Sequence, residues 1–561
     1  MLYDFHHRLS VIIDSIELKS RLLGCAVQHR QSVDSRVGPD PGGGVESVIS
    51  TNKALWAGVR CKNNRPGTLR RRIKIQFLRP LKLVLLSRKN QRSSVSLRRW
   101  GQLFPILSPL FISVVAMAMV PAEHPNRAVL VESGFAQSPR VSPVGISANP
   151  GAVNLFTGTG ALGESLGIKE SSGVRLGGIY LADADYLISG GLKPQHWSGN
   201  SLLILSASLD AEVAWEWKGA LFGVEFLQFN GMNTNGQAGS VQGYNSLPGA
   251  PPLNRSELYQ LWYRQQLFRD RLTVRIGKTV PTDDFNNVLL PVPTVDRTLA
   301  IPSVSGLIYT PIFVNTTMLG VLPGYYNSAY GITANLAFTQ SSYLSYGIYD
   351  GNGARGVQTG LTGPHFNGYY FQIAEAGCAW QAGEQKKPGL IAVGAWSQSG
   401  ELSAYGKPCA CAPAEPTPCK CPPEPPVGPK ICQNGAQGLY AFGSQRLWLR
   451  HPDVDDSGIS GFFQLGINHS KTLPMQRYVG LGFTAFGLGR SSDMMGVGMA
   501  WSKLNPKLFD RPSELMFQAY YQGKIFSTVY VEPVLTYIPT PGAGADLPAA
   551  WAATVRLMVL F

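Results

Sequence analysis

Charged residues are scarce in this chain. They make up 15% of its 561 residues, whereas soluble proteins contain about 25%. Hydrophobic residues reach 44%, yet only residues 103–120 form an apolar run long enough for a membrane helix. The composition therefore disfavours an ordinary soluble protein, and the lack of further apolar runs disfavours a bundle of membrane helices.

Most of the chain also lacks a net positive charge, although the formal net charge of the whole chain is +14. Residues 1–136 hold 21 of the 49 Lys and Arg residues and 8 of the 35 Asp and Glu residues, which gives +13. Residues 137–561 hold the remaining 28 basic and 27 acidic residues, which gives them a net charge of +1. A positive charge confined to a leader does not favour nucleic-acid binding, and no nucleic-acid partner is expected.

The leader has the order of charge and hydropathy that marks an export signal. Residues 47–122 contain no acid, the apolar run 103–120 follows, and the small residues Ala116, Ala118 and Ala122 come at or after its end. This pattern predicts a secretory signal at 101–136 behind a basic leader at 1–100, and a misassigned start is one explanation of that leader. A retained membrane anchor and an organelle transit peptide are the alternatives.

Apolar and polar residues alternate along most of the chain after residue 173. In "LYQLWYRQQLF", every second position is held by Tyr259, Leu261 and Tyr263, and the positions between and after them include Trp262 and Arg264. Alternation puts apolar side chains on one face of a strand. Outward apolar faces, inward polar faces and an export signal together predict an all-β transmembrane antiparallel β-barrel of about 16 strands, after an N-terminal periplasmic segment at 137–173.

The predicted strands alternate between short and long connections. The gaps at 230–256, 280–326, 351–369 and 400–437 fall on one side, predicted to be extracellular, and the short turns fall on the periplasmic side. The last strand ends at Phe561, which is typical of the C-terminal signal that the outer-membrane assembly machinery reads. The predicted strands are 174–188, 201–216, 220–229, 257–267, 271–279, 327–338, 343–350, 370–381, 390–399, 438–449, 459–468, 478–487, 494–501, 514–522, 529–538 and 551–561.

Three segments carry a family resemblance: "LYQLWYRQQLFRDRLTVRIGKTVPTDDF", "GAWSQSG…GLYAFGSQRLW" and "VYVEPVLTYIPTPG". They resemble the carbohydrate-selective porins of Gram-negative outer membranes, the B-type sugar porins, over about residues 160–561. The resemblance implies a sixteen-stranded channel through which glucose and other small sugars diffuse inward. The Cys- and Pro-rich insertion at 407–432 departs from the family pattern.

Charged and aromatic residues on the predicted inner face are the candidates for sugar contact. Sugar hydroxyls need donors and acceptors, and their ring faces stack on aromatic side chains. The gap at 280–326 follows the fifth strand, where porins commonly fold a loop into the lumen, and it adds two candidates. The predicted pore-lining residues are Asp210, Glu212, Glu225, Trp262, Arg264, Arg275, Asp284, Arg297 and Arg556.

The insertion at 407–432 holds five cysteines. Their Cys-x-Cys pairs do not match the spacing of zinc sites, and the loop is predicted to face an oxidising compartment. Disulfides are therefore favoured over a metal site, with a disordered Pro-rich loop as the other alternative. The candidates are Cys409, Cys411, Cys419, Cys421 and Cys432.

The sequence thus predicts an outer-membrane porin for small neutral sugars, working without cofactor or energy input. The expected partners are sugars, outer-membrane lipids and lipopolysaccharide, the assembly machinery and two further copies in a homotrimer, with a monomer as the alternative. A general or weakly ion-selective porin is the alternative within transport. A barrel enzyme is less favoured because, in the stretch Asn468-His469-Ser470, the adjacent His469 and Ser470 point to opposite faces of a strand. An organelle channel would not explain Phe561.

Overall fold

The computed structural model describes residues 160–249, 254–289, 306–323, 327–355, 363–405, 430–452, 457–490, 492–526 and 528–561. Sixteen antiparallel strands close into one barrel in which each strand pairs with its neighbours in sequence and β1 pairs with β16. The strands are β1 Val174–Ser189, β2 His196–Asp210, β3 Ala220–Gly231, β4 Arg255–Leu267, β5 Leu272–Thr279, β6 Ala329–Ala337, β7 Ser342–Asp350, β8 Tyr370–Ala382, β9 Lys387–Tyr405, β10 Lys430–Leu449, β11 Gly458–Asn468, β12 Met475–Phe486, β13 Met494–Leu504, β14 Ser513–Phe526, β15 Val529–Ile538 and β16 Ala550–Leu560.

In the described part of the chain, four short α-helices lie outside the strands: α1 (Ala161–Ser165), α2 (Ala211–Trp215), α3 (Thr234–Ala238) and α4 (Thr310–Phe313). Among the described residues, no helix is long and apolar enough to cross a membrane.

The predicted barrel and its strand count are confirmed. The long connections all lie at one end, here called the loop end, and the short turns lie at the other, the turn end, where β16 also finishes. The largest differences from the predicted bounds are in β2, β9 and β10. The strand β2 begins and ends closer to the N-terminus than the predicted 201–216. The strands β9 and β10 run further toward the loop end than 390–399 and 438–449 and are paired there across a bulge between Asn434 and Ala436.

The outer face is apolar between two groups of aromatic residues. Leu205, Leu261 and Val555 are among the exposed outward side chains. At the loop end the rings of Tyr537 and Trp551 stack 4.4 Å apart, and at the turn end Tyr263 lies against Phe222 and Trp217. An apolar band flanked by aromatic girdles is the surface that a barrel presents to a bilayer.

One local irregularity changes the alternation in β4. The register with β3 shifts between Glu225 and Phe226. As a result Tyr259, expected on the outer face beside Leu261, is buried in an apolar cluster with Leu227. Because the shift lies before Gln260, the inward positions of Trp262 and Arg264 are unaffected.

Candidate functional site

The inner wall formed by β4 and β5 brings together the central residues of the predicted site. Arg264 and Arg275 are register partners, and Trp262 is the partner of Gly223 on β3. The Trp262 ring lies flat against the wall, since a Cβ atom on Gly223 would come within 2.3 Å of it. The Arg275 guanidinium is 5.7 Å from the ring centroid, within the range of a cation–π contact.

The loop between β5 and β6, called the β5–β6 loop (280–328), begins with two carboxylates bound to this wall. Arg275 forms an ion pair with Asp284 and a longer one with Asp283, at 3.9 Å from Nη1 to Oδ2. Thr333 on β6 donates its hydroxyl to the same Asp284 oxygen at 3.2 Å. Asp284, predicted from the sequence as a site residue, therefore fixes the start of the loop against the wall.

A second carboxylate on the wall shares a hydrogen-bond donor with Asp283. Gln260 Nε2 donates to Glu225 at 2.8 Å and to Asp283 at 3.2 Å. Burial, opposed by Arg275 and assisted by the charge of Asp284, raises the pKa of Asp283 to about 8. Three carboxylates and one guanidinium thus lie within one hydrogen-bonded cluster, called here the Arg275 cluster (Glu225, Gln260, Arg275, Asp283, Asp284).

Glu375 on β8 holds the next part of the β5–β6 loop and was not among the predicted residues. It accepts from Asn286 N at 2.6 Å, from the Tyr343 hydroxyl at 2.7 Å and from the Tyr440 hydroxyl at 2.8 Å. Its neighbours along the inner face of β8 are Phe371 and Ile373. An apolar inner face of this kind offers no alternation signal by which the sequence could mark Glu375 as lumenal.

The described second half of the loop, residues 306–323, reaches the opposite wall. β5 and β13 are eight strands apart in a ring of sixteen, and the loop contacts β11, β13 and β14. The inward fold of this loop agrees with the prediction. Its bonds to the wall join Ile308 N to Gln518 (2.6 Å), Gln464 to Ile312 O (3.3 Å), Asn315 to Leu465 O (2.9 Å), Thr316 to Ser502 (3.0 Å) and Asn468 to Thr317 O (2.7 Å).

A second loop also folds inward, which the sequence did not predict. The β3–β4 loop (232–254) places Asn245 between Asp183 and Asp185 of β1, to which its amide donates at 2.9 and 2.8 Å. Its next residue, Ser246, donates its backbone N–H to Ile308 O of the β5–β6 loop at 2.7 Å. The two loops therefore meet inside the barrel.

Arg556 points inward as predicted, and its ion pair with Asp183 lies across the two strands that close the barrel. Its Nε and Nη2 both donate to Asp183 at 2.8 Å, across the pairing of β16 with β1. Both side chains are buried, with 5% and 0% of their surface exposed. A buried bidentate pair of this geometry joins the first and last strands.

Two predicted pore-lining residues are corrected. Asp210 ends β2, and its carboxylate accepts from the backbone N–H groups of Glu212 and Val213, as the N-cap of α2. Glu212 lies within α2 and accepts from Gly219 N at 3.1 Å. Both belong to the turn between β2 and β3 because the predicted strand 201–216 ends at Asp210.

The remaining predicted residues have simpler outcomes. Arg297, Cys409, Cys411, Cys419 and Cys421 lie outside the described residues, as does the whole leader. Cys432 is exposed on β10 and forms no disulfide within the described part of the chain. Phe561 continues the β1 pairing through Gly178, with Gly178 N to Phe561 O at 2.7 Å and Phe561 N to Gly178 O at 3.0 Å.

The Arg275 cluster and Trp262 offer hydrogen-bond donors, acceptors and an aromatic face. The described residues contain no cluster of side chains suited to hold a metal ion. A closed barrel with an apolar outer band and two loops folded into its lumen is the architecture of an outer-membrane porin. Comparison with known families makes this specific. The chain belongs to the OprB family of carbohydrate-selective porins, whose model matches residues 201–561.

One solved structure supports the fold, and a second is reported for comparison. The high-pH structure of Pseudomonas putida OprB is 17% identical, covers 73% of this chain and 99% of its own, and has a TM-score of 0.56. The low-pH structure of the same protein is 14% identical, covers 74% and 100%, and has a TM-score of 0.44. No curated protein matches the chain. The family and the fold place the protein in the Gram-negative outer membrane. Both the family and the fold are typical of a channel.

Proposed function

We propose that the protein is a passive channel for small neutral carbohydrates such as glucose, and that the Arg275 cluster with Trp262 and Arg264 is where the sugar is contacted. The observation that carries this proposal is the joint position of Trp262 and Arg275. A flat aromatic face and a guanidinium fork lie side by side on the inner wall, at the point where the β5–β6 loop enters the lumen. A sugar ring can stack on the former while its hydroxyls bond to the latter.

The binding should be weak, because a channel must release what it binds. Each hydrogen bond to the sugar replaces one to water, so it contributes only about 0.5–1.5 kcal/mol. A general porin would have no binding site for a sugar. The two functions differ in one measurable property, which is whether glucose reduces the ionic current.

The test is single-channel recording in planar bilayers with glucose added, on the wild type and on Arg264→Ala, Arg275→Ala and the double variant. The double variant should show weaker sugar-dependent block and a shift of ion selectivity toward cations, with conductance retained. Arg275→Ala should have the larger effect of the two single variants because it also releases Asp283 and Asp284. Unchanged block and unchanged selectivity in the double variant would place the constriction elsewhere.

The same proposal extends to export and assembly. The loop end faces the exterior, the turn end faces the periplasm, and the mature chain begins between Met119 and Gln137. N-terminal sequencing of membrane-extracted protein tests the cleavage, and recovery of residues 1–100 in envelope protein would contradict it.

Deleting Phe561 should reduce the folded, heat-modifiable barrel while synthesis continues, because the assembly machinery would lose its C-terminal signal.

Lipids, lipopolysaccharide and further copies of the chain are also proposed partners. Lipid and lipopolysaccharide would contact the apolar outer band, and a homotrimer is the expected oligomer. Chemical crosslinking in outer-membrane vesicles would distinguish a trimer from a monomer.

A further inference from the structure

The outer face of the barrel carries two basic residues opposite each other near the loop end. Arg477 on β12 and Lys503 on β13 are register partners. The residues adjacent to them in sequence, Tyr478 and Ser502, are buried and each bonds to a loop folded into the lumen. Because successive residues of a strand point to opposite faces, Arg477 and Lys503 both point outward.

This arrangement places two like charges side by side. Directly opposed residues of antiparallel strands have Cβ atoms about 4.5–5.5 Å apart, and like charges at that distance destabilise the pair of strands. Within the described residues, neither side chain takes part in an ion pair or a hydrogen bond. Glu514 on the next strand does not offset them, because it faces inward and accepts from Ser240 Oγ at 2.6 Å. The pair therefore favours an anion that bridges both cations from outside the barrel.

The two connections nearest to the pair at the loop end add positive charge. The β11–β12 loop (469–474) contains Lys471 and no acid. The β13–β14 loop (505–512) contains two basic residues and one acid. Lys471, and Lys507 in the second of these loops, are exposed. This sector of the loop end thus attracts anions.

Below the pair, the outer face is apolar over the depth of a lipid acyl chain. After Arg477, the outward residues of β12 are Val479, Leu481 and Phe483, and the last two are exposed. From Arg477 to Phe483 is about 20 Å along the strand. For a strand tilted by about 40°, this is about 15 Å of depth, which is about half of the hydrocarbon core. A lipid held here would have its headgroup at the cations and its chains on the apolar residues.

The chemistry of the pair favours one kind of headgroup. An arginine fork matches two oxygens of a phosphate group, and a lysine beside it adds a third charged contact. A zwitterionic headgroup brings its own ammonium group, which the two cations repel. A free phosphate ion would gain nothing from the apolar residues below. A lipid that carries phosphate groups without a free amine beside them satisfies both the charge and the apolar surface.

We propose that Arg477 and Lys503 bind a phosphate group of lipopolysaccharide, whose acyl chains lie along Val479, Leu481 and Phe483. This inference rests on the proposed orientation, in which the loop end faces the exterior. It gives the proposed contact with lipopolysaccharide a place on the barrel and a pair of residues.

The test titrates bisphosphorylated lipid A into the protein purified from outer membranes in detergent. The temperature at which the heat-modifiable barrel unfolds is followed for the wild type and for the double variant Arg477→Gln, Lys503→Gln. The double variant should bind lipid A about tenfold more weakly, because each cation near an anionic headgroup contributes to binding. Added salt should weaken binding by the wild type more than binding by the variant. Without lipid, the variant should be at least as stable as the wild type because the opposed like charges are gone.

Two further variants control the result. Lys503→Glu places an acid opposite Arg477, so that an ion pair within the barrel replaces the phosphate contact. This variant should lose lipid A binding while keeping its fold. The double variant Lys218→Gln, Arg490→Gln removes one lysine and one arginine that are exposed at the turn end, and it should bind lipid A as the wild type does.

Two other probes identify the source of the phosphate. Inorganic phosphate and phosphatidylethanolamine, each at the concentrations used for lipid A, should give no stabilisation that depends on Arg477 and Lys503. Stabilisation by inorganic phosphate equal to that by lipid A would overturn the inference in favour of a free-anion site. Equal stabilisation by phosphatidylethanolamine would overturn it in favour of unselective contact with lipid.

The remaining outcomes separate this inference from the proposed orientation and from a subunit contact. Equal binding of lipid A by the wild type and Lys503→Glu would overturn the lipid site and leave the channel and its orientation standing. Labelling of Lys507 on intact cells with a membrane-impermeant amine reagent tests the orientation by itself, and labelling only in opened cells would overturn both. Disulfide crosslinking of Lys503→Cys to a second copy in outer membranes would assign this face to a subunit contact and overturn the lipid site.

Discussion

Two buried glutamates on neighbouring strands, Glu514 on β14 and Glu532 on β15, have different surroundings. Glu514, near the loop end, accepts from Ser240 Oγ, Val241 N and Gly542 N at 2.6–2.8 Å. Within the described residues, Glu532, near the turn end, has one oxygen that accepts no hydrogen bond. Their exposed fractions are 0% and 2%. Two equally buried carboxylates can therefore differ in how many of their oxygens accept hydrogen bonds.

The same contrast applies to the two halves of the lumen. Toward the loop end, the β3–β4 and β5–β6 loops supply partners for the polar side chains of the wall, as Gln518 shows by bonding to Ile308 N, Tyr244 O and Thr536. Toward the turn end, Asn335, Ser345 and Ser460 each keep an unpartnered oxygen within the described residues. Unpartnered buried oxygens also occur toward the loop end of the described residues, at Thr279 and Gln398. The two halves therefore differ in the number of loop-to-wall hydrogen bonds and not in a complete pairing of their polar atoms.

The largest effect is expected from Glu514→Ala, which removes the acceptor that holds the β3–β4 loop in the lumen. Several buried donors would lose their partner, so we expect a loss of stability of about 2–4 kcal/mol. Conductance should rise because the loop detaches. Thermal unfolding and single-channel recording measure both. Glu514→Gln, which keeps one acceptor, should be intermediate, and wild-type conductance in Glu514→Ala would show that the loop is held by other contacts.

An intermediate effect is expected from pH, through Asp283 at the start of the β5–β6 loop. The groups that face it are Glu225, Gln260, Arg275 and Asp284. Burial raises its pKa to about 8, so the carboxyl is protonated near pH 6 and charged near pH 9. Cation selectivity should therefore increase as pH rises, with a midpoint near 8. Asp283→Asn should remove this transition, and a transition that persists in the variant would assign it to another group.

The sign of the accompanying stability change follows from the same pKa. The folded pKa lies above the unfolded value of about 3.9, so the folded state binds this proton more tightly. The contribution of Asp283 to stability is thus fully present below about pH 4 and is lost as pH rises toward 8. Asp283→Asn should reduce the pH dependence of the unfolding temperature across that window.

The barrel could be predicted from the sequence because its signal is local. Inward and outward residues alternate within each strand, and turns are recognised by a few residues, so all sixteen strands were found. Phe561 and the placement of Arg275 and Asp284 follow from the same alternation and from loop length. Tyr259 shows the limit of this reasoning, since a bulge that pairing with β3 creates cannot be recognised in β4 alone.

The inward fold of the β3–β4 loop and the role of Glu514 could not be predicted in the same way. The loop is rich in Asn, Gln, Ser and Gly, which is typical of a segment in solvent. Its partners lie far away in sequence: Ser240 and Glu514 are 274 residues apart. Glu375 and Glu532 were not predicted because a single acid within a largely apolar strand gives no sign of the residues that its carboxylate will contact.

The smallest effect on the channel is expected from Asp210→Ala, which tests whether Asp210 belongs to the lumen or to the turn. The sequence placed it on an inner strand face because Ala211, Val213 and Trp215 continue the apolar alternation. Five residues are too few to separate that period from one helical turn, where Ala211 and Trp215 also share a face. The structure makes Asp210 the N-cap of α2, so its loss should lower stability by about 1 kcal/mol. Glucose block and ion selectivity should match the wild type, while Asp210→Asn, which retains an oxygen for the cap, should recover most of the stability. A change of ion selectivity in Asp210→Ala would instead return this carboxylate to the wall of the channel.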